Sequence, residues 1–217
     1  NNTALTNLIC GDNQLTSLNV SSITGLTYLD CASNQLTSLD LSSNTALTTL
    51  MCRYNQLTSL DVSANTALTQ LWCAYNQLTS LNVSNNTALS SLYVSNNELT
   101  SLDVNNNTAL TNLICGDNQL TSLDVSNNTA LYQFSCGDNQ LTYLNMRNGI
   151  TEQFIDFSAK NNSLTCVEVN ADDVAYATAN WTNEFDVGVT FDFICGSEAR
   201  THWYVATTGS DASGSGT

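Results

Sequence analysis

The chain has no proline, a single histidine and only four basic residues, Arg53, Arg147, Lys160 and Arg200, among 217. Without proline, no stiff Pro-rich linker divides it. Against 19 acidic residues the four bases leave a formal net charge of −15. Such a surface repels phosphate backbones and anionic lipid, which argues against nucleic-acid and membrane-surface partners. No apolar run reaches the ~18 residues of a membrane span, and no signal peptide stands at the start, so membrane insertion is not expected. The lone histidine, His202, belongs to no Ser/His/Asp arrangement, metal triad or phosphate loop, so this chain alone is expected to have no catalytic residues and not to be an enzyme. Charged residues make up only 11%, which leaves Asn, Thr and Ser to supply most of the polar surface.

What is abundant is leucine at fixed intervals. A 21-residue unit begins at Leu5, Leu26, Leu47, Leu68, Leu89, Leu110 and Leu131 without a slip in spacing. Its first sixteen positions follow L-x-x-L-x-C-x-x-N-x-L-x-x-L-x-V, closed by a polar S-x-N-T-A link. A repeat of 20–29 residues with this pattern is the leucine-rich-repeat signature. The expected fold is mainly β, a solenoid with parallel strands on the concave face and short extended segments on the convex face. An eighth, irregular unit follows Ile150 and resumes as Phe154, Phe157, Ala159, Asn162, Leu164, Val167 and Val169. The chain opens inside a repeat, at Asn1 to Leu5, with no capping segment over the first rung, so further chain or a removed leader is expected upstream.

Positions three to seven alternate with period two, predicting strands such as Asn7 to Gly11 or Gln70 to Ala74. Six of the eight cysteines, Cys10, Cys31, Cys52, Cys73, Cys115 and Cys136, share position six, which Val94 and Ala159 take in two other units. Cysteine there acts as a small hydrophobe, in preference to a metal or redox group. Asparagines at position nine, from Asn13 to Asn162, are expected to satisfy backbone groups freed by the turn. On the return leg Leu57, Leu60 and Val62 point inward and Asp61 outward, with a second short strand or extended turn expected. Beyond Val169, Asp172 to Trp181 reads as a short helix opening on an acidic cap, and Val187 to Cys195 as a strand. Together they would lid the last rung, with Trp181 laid over it and Cys166 and Cys195, the two cysteines outside the ladder, joined in a disulfide. That division gives a solenoid at 1–169, a C-terminal cap at 170–196 and a linker or the start of a following domain at 197–217.

The N-x-L-T-S-L-D-V-S-x-N-T-A-L units, the stretch Leu164 to Val169, and Asp172 to Tyr176 with Ala179 to Thr182 resemble secreted leucine-rich-repeat proteins of Bacteroidota, loosely related to internalin-type repeats. That resemblance covers residues 1–196 and implies a secreted or cell-surface location. It also matches the second cysteine at Cys195-Gly196. The tail Trp203 to Asp211 resembles the opening of right-handed parallel β-helix proteins, many of them polysaccharide lyases. The alternative for that tail is a Gly/Ser linker.

Subtracting the scaffold leaves positions three, five, seven and eight. There the large residues gather on rungs two to five: Tyr28, Asp30, Met51, Arg53, Tyr54, Trp72, Tyr75 and Tyr93. An exposed aromatic patch on a concave sheet marks an interaction site. Sugar rings stack on Trp and Tyr, and Arg53 beside Tyr54 suits an anionic sugar or carboxylate. The first expectation is therefore a polysaccharide ligand. The alternative is a protein partner, because Trp, Tyr and Arg dominate protein hot spots, and a third is cross-strand stiffening in a rigid spacer. Asp117 and Asp138 fall on successive rungs, as do Asp40 and Asp61 and the pair Asp103 and Asp124. Calcium at Asp117 and Asp138 would relieve repulsion. No D-x-D-x-D-G loop is present, and solvation is the simpler account, so no cofactor is expected.

Overall fold

The computed structural model describes residues 2–149, 154 and 156–196. His202, the Trp203–Asp211 stretch and the 197–217 segment lie outside them. Each unit makes one turn of a coil in which identical positions lie above one another. Eight parallel strands form the concave sheet: Asn7–Ile9, Tyr28–Asp30, Thr49–Met51, Gln70–Trp72, Ser91–Tyr93, Asn112–Ile114, Gln133–Ser135 and Asp156–Ser158. Their register is one unit per rung, so Leu29 pairs with Leu50, Leu50 with Leu71, and Phe134 with Phe157 across the irregular eighth turn. The protein is a leucine-rich-repeat β-solenoid.

The strands are three residues long, shorter than the five-residue spans read from the alternation. They end after position five because position eight must turn the chain. Parallel pairing nevertheless continues through position six, where Cys31 N donates to Met51 O and Cys52 N to Trp72 O, both at 2.8 Å. Inside the coil the leucines at positions one, four and eleven are buried from rung two onward. Each fully buried leucine contributes about 1.5–3 kcal/mol over an exposed one. The cysteines stack with them as small apolar groups. Burial pushes the thiols of Cys31, Cys73 and Cys115 up to about 12, so they stay protonated and unreactive.

The position-nine asparagines form the expected ladder. Asn97 Nδ2 donates to Cys73 O on the preceding rung and Val94 O on its own, while its Oδ1 accepts from Leu78 N at 3.0 Å. A second ladder sits inside the link that sequence reading treats as surface. Asn44, Asn65, Asn86, Asn107 and Asn128 are wholly buried. Each donates to two carbonyls of the preceding turn, as Asn65 Nδ2 does to Leu41 O at 3.1 Å and Asn44 O at 2.9 Å. These bonds tie successive turns together through carbonyls that also accept a backbone N–H within their own turn, as Leu41 O does from Asn44 N at 2.9 Å.

The convex leg is extended but unpaired in the first five units. It becomes a four-stranded sheet only toward the end, from Ser122–Asp124, Tyr143–Asn145, Cys166–Glu168 and Thr190–Asp192. Its exposed Asp and Asn residues close local turns, as where Asp61 Oδ1 accepts from Ser63 N at 2.9 Å. Hydrogen bonds from Ser42 and Ser63 hold the carboxyls of Asp40 and Asp61 below the usual range.

The cap differs in detail from its expected form. A single 3₁₀ turn, Ala171–Asp173, leads into the helix Val174–Asn180, and no side-chain bond caps either one. The final strand is Thr190–Asp192 alone, not the whole of Val187 to Cys195, because only those residues lie against Cys166–Glu168. Trp181 does cover the stack: it is buried with its ring 4.9 Å from Phe157 and 5.8 Å from Phe191. Cys166 and Cys195 are joined as a disulfide across 29 residues.

Candidate functional site

The concave face carries a groove of about 500 Å³ running along the stack over rungs three to eight. It brings together Arg53, Tyr54, Trp72, Tyr75 and Tyr93 from the residues singled out in the sequence, and leaves out Tyr28, Asp30 and Met51. These three serve the neighbouring rungs. Tyr28 Oη donates to Met51 Sδ at 3.5 Å, and Asp30 Oδ1 accepts from Ala32 N at 3.0 Å, closing its own turn.

Trp72 is not the open platform that its strand position suggests. Its ring lies between adjacent rungs, with the Arg53 guanidinium 5.3 Å from the ring centre on one side and Tyr93 at 5.1 Å on the other. Its Nε1 is sealed from solvent without a hydrogen-bond partner. Tyr93 is fixed in turn, donating from Oη to Gln133 Oε1 at 3.0 Å, and Gln133 also accepts from Asn112 Nδ2 at 2.7 Å. The groove thus has a rigid aromatic wall anchored over three rungs.

Position eight is a turn position, not an exposed strand position. All eight of its residues, Asp12, Ser33, Tyr54, Tyr75, Asn96, Asp117, Asp138 and Asn161, have φ between 53° and 58°. Asn and Asp tolerate this left-handed conformation, whereas a bulky residue there is a genuine outlier. Tyr54 and Tyr75 therefore carry strain that five of the other rungs avoid with Asn or Asp. They stack at 4.3 Å with an interplanar angle of 14°, and both remain about half exposed. Their mutual contact pushes the Tyr75 hydroxyl above its ordinary pKa, with a smaller push from Asp117.

A stability measurement separates scaffold from function here. Relief at two left-handed positions is worth about 2 kcal/mol in total, and the lost stack costs about 0.5–1.5 kcal/mol. The double variant Tyr54→Asn/Tyr75→Asn is therefore expected to be about 1 kcal/mol more stable than the parent in urea unfolding. A clear loss of stability would mean that the tyrosines hold the coil together.

At the far end of the groove the sequence marks only Asp117 and Asp138, as a candidate calcium pair, because rung six otherwise repeats rung one. Gly116 and Gly137 line this end, and a Cβ on Gly116 would meet Gly137 O at 3.0 Å. Asp117 and Asp138 also line it. Asn161 Nδ2 donates to Asp138 Oδ1 at 2.8 Å and Asn96 Nδ2 reaches Asp117 Oδ2 at 3.5 Å. Among the described residues no group of three or more His, Cys, Asp or Glu side chains converges as a metal site would. No described helix is long and apolar enough to cross a membrane.

No family model matches the sequence, and neither does any curated protein. Solved structures do match. The functional domain of InlJ from Listeria monocytogenes, described as including a cysteine ladder, is 34% identical over 88% of this chain and 45% of its own, with a TM-score of 0.67. A leucine-rich-repeat protein of Leptospira interrogans is 24% identical over 85% and 49%, at a TM-score of 0.69. An internalin of Listeria monocytogenes is 24% identical over 88% and 62%, at 0.61. The chain spans about half the length of the first two. The chain shares the leucine-rich-repeat fold of these structures.

Proposed function

We propose that the chain is a recognition module that binds a protein ligand along the concave groove, outside the cell. The observation that carries this reading is the Tyr54–Tyr75 pair, held in a strained conformation that the repeat does not require. Strain retained on one exposed patch of an otherwise uniform coil points to selection for contact. Trp72, Tyr93 and Arg53 complete a cluster of the residue types that dominate protein hot spots. The polysaccharide expectation rested on open ring faces. Trp72 has a neighbour on each side, and Tyr54 and Tyr75 cover one ring face of each other. The extracellular setting is supported by the Cys166–Cys195 disulfide, a bond that persists in oxidising compartments.

The test sets a glycan array beside cross-linking capture from extracellular protein, using the parent, Trp72→Ala and Tyr54→Asn/Tyr75→Asn. A protein partner is expected whose affinity falls about 30-fold in Trp72→Ala, the effect of removing a hot spot of about 2 kcal/mol. The tyrosine double variant should lose it too while remaining folded. Glycan binding abolished by the same substitutions, with no protein captured, would reverse the assignment.

A further inference from the structure

The groove is electrically polar along its length, and this deepens the protein-recognition reading, on which it rests. Arg53 lines the end at rung three, while Asp117 and Asp138 line the end at rungs six and seven. Among the described residues Arg53 has no ion pair, and its guanidinium lies over the uncharged Trp72 ring. The two aspartates accept from asparagine amides, and Asp117 also bears on the Tyr75 hydroxyl. Elsewhere in the fold Arg147 is neutralised: its Nη2 lies 2.9 Å from Glu168 Oε2. Arg53, Asp117 and Asp138 thus line the groove without an ion pair among the described residues.

We infer that the groove takes an extended peptide segment lying along the stack, with an Asp or Glu on Arg53 and a Lys or Arg between Asp117 and Asp138. The spacing follows from the repeat. At about 4.8 Å per rung, Arg53 stands about 14 Å from the Asp117 rung and about 19 Å from the Asp138 rung. An extended chain advances about 3.3 Å per residue, so the two charged side chains are separated by four to six residues. Between them the floor is low, with Ala74, Ser95, Gly116 and Gly137 at successive position sevens. A peptide backbone can approach closely there while Trp72, Tyr75 and Tyr93 contact its apolar side chains. The chain's net charge of −15 also steers the basic end of such a segment inward.

The probe is a displayed library of random twelve-residue peptides selected on the intact chain. Enriched peptides are expected to pair Lys or Arg with Asp or Glu at that spacing. Their affinity should fall tenfold or more in Asp117→Asn/Asp138→Asn, and likewise in Arg53→Gln. These variants suit the fold, since Asn already occupies position eight at Asn96 and Asn161, and position seven takes Gly, Ala or Ser in six rungs and lysine at Lys160. Peptides that bind through Tyr54 and Tyr75 but lack the charge pairing, or ignore the aspartate variant, overturn this inference and leave the protein-recognition reading intact. Polybasic peptides that bind every variant equally overturn it as well, as bulk attraction to an acidic surface. If nothing enriches, or if enriched peptides survive Tyr54→Asn/Tyr75→Asn, both the inference and the concave-face reading fall.

Discussion

Replacing Asn97 with alanine is expected to destabilise the coil by about 3 kcal/mol and to break its cooperativity at the centre. Asn97 is buried, and its Oδ1 is the acceptor for Leu78 N, which belongs to the preceding rung. Removing it strands a buried amide, at about 1–3 kcal/mol. It also deletes the bonds to Cys73 O and Val94 O. Both carbonyls keep a second asparagine donor, Asn76 and Asn118 respectively, so the loss is not larger. In a stack where each rung contacts only its neighbours, such a defect uncouples the two halves. Urea unfolding should broaden or split into two steps. Asn13→Ala is the matched control: Asn13 is exposed and bonds only to its own turn, at Cys10 O and Gly11 O. Equal effects at Asn97 and Asn13 would refute a ladder that couples rungs.

Removing the disulfide by Cys166→Ala/Cys195→Ala is expected to weaken the cap by about 3.5 kcal/mol, the chain-entropy value for a loop of 29 residues. The enclosed segment carries the helix Val174–Asn180 and the rings of Trp181, Phe185 and Phe191, which close the last rung. Cys195 N also donates to Glu168 Oε1 at 3.3 Å, and Glu168 in turn holds Arg147 and the Tyr143 hydroxyl. Faster hydrogen exchange should therefore begin at the amide of Trp181 and spread to Phe157. The strands of rungs two to five, more than three turns away, should keep their protection. Uniform loss of protection along the stack would show that the coil unfolds as one unit and that the cap is not a separate lid.

The scaffold was legible because its period is unbroken. Any residue repeated every 21 positions stacks on itself, so leucine, cysteine and the position-nine asparagine each announced a ladder. The second asparagine ladder was hidden by composition. Asn44 and Asn65 sit among Ser, Thr and Ala, and that company is the usual mark of a solvated turn; only the stacked structure shows the buried Asn65 amide bridging to the Leu41 and Asn44 carbonyls of the preceding turn. The site was half legible. Large residues on rungs three to five stood out against their repeats, but side-chain size does not say which way the backbone turns. Position eight therefore looked like a strand residue, although its recurrent Asp and Asn, in five of eight rungs, were the available sign of a left-handed turn. Asp117 and Asp138 were weighed as a charge ladder and not as a groove wall, because on their own rungs nothing marks them. Their importance comes from rungs three turns away.

The uniform stacking of rungs three to seven makes the coil a ruler whose graduations are genetic. Gain or loss of one 21-residue unit between Arg53 and Asp117 would move the groove's two ends apart or together by about 4.8 Å without altering a contact at either. Near-identical units invite unequal recombination: Leu5 to Leu18 and Leu110 to Leu123 are the same sequence. Descendants of this chain would then differ from it in the length of segment they measure, while the chemistry of each end passed on unchanged.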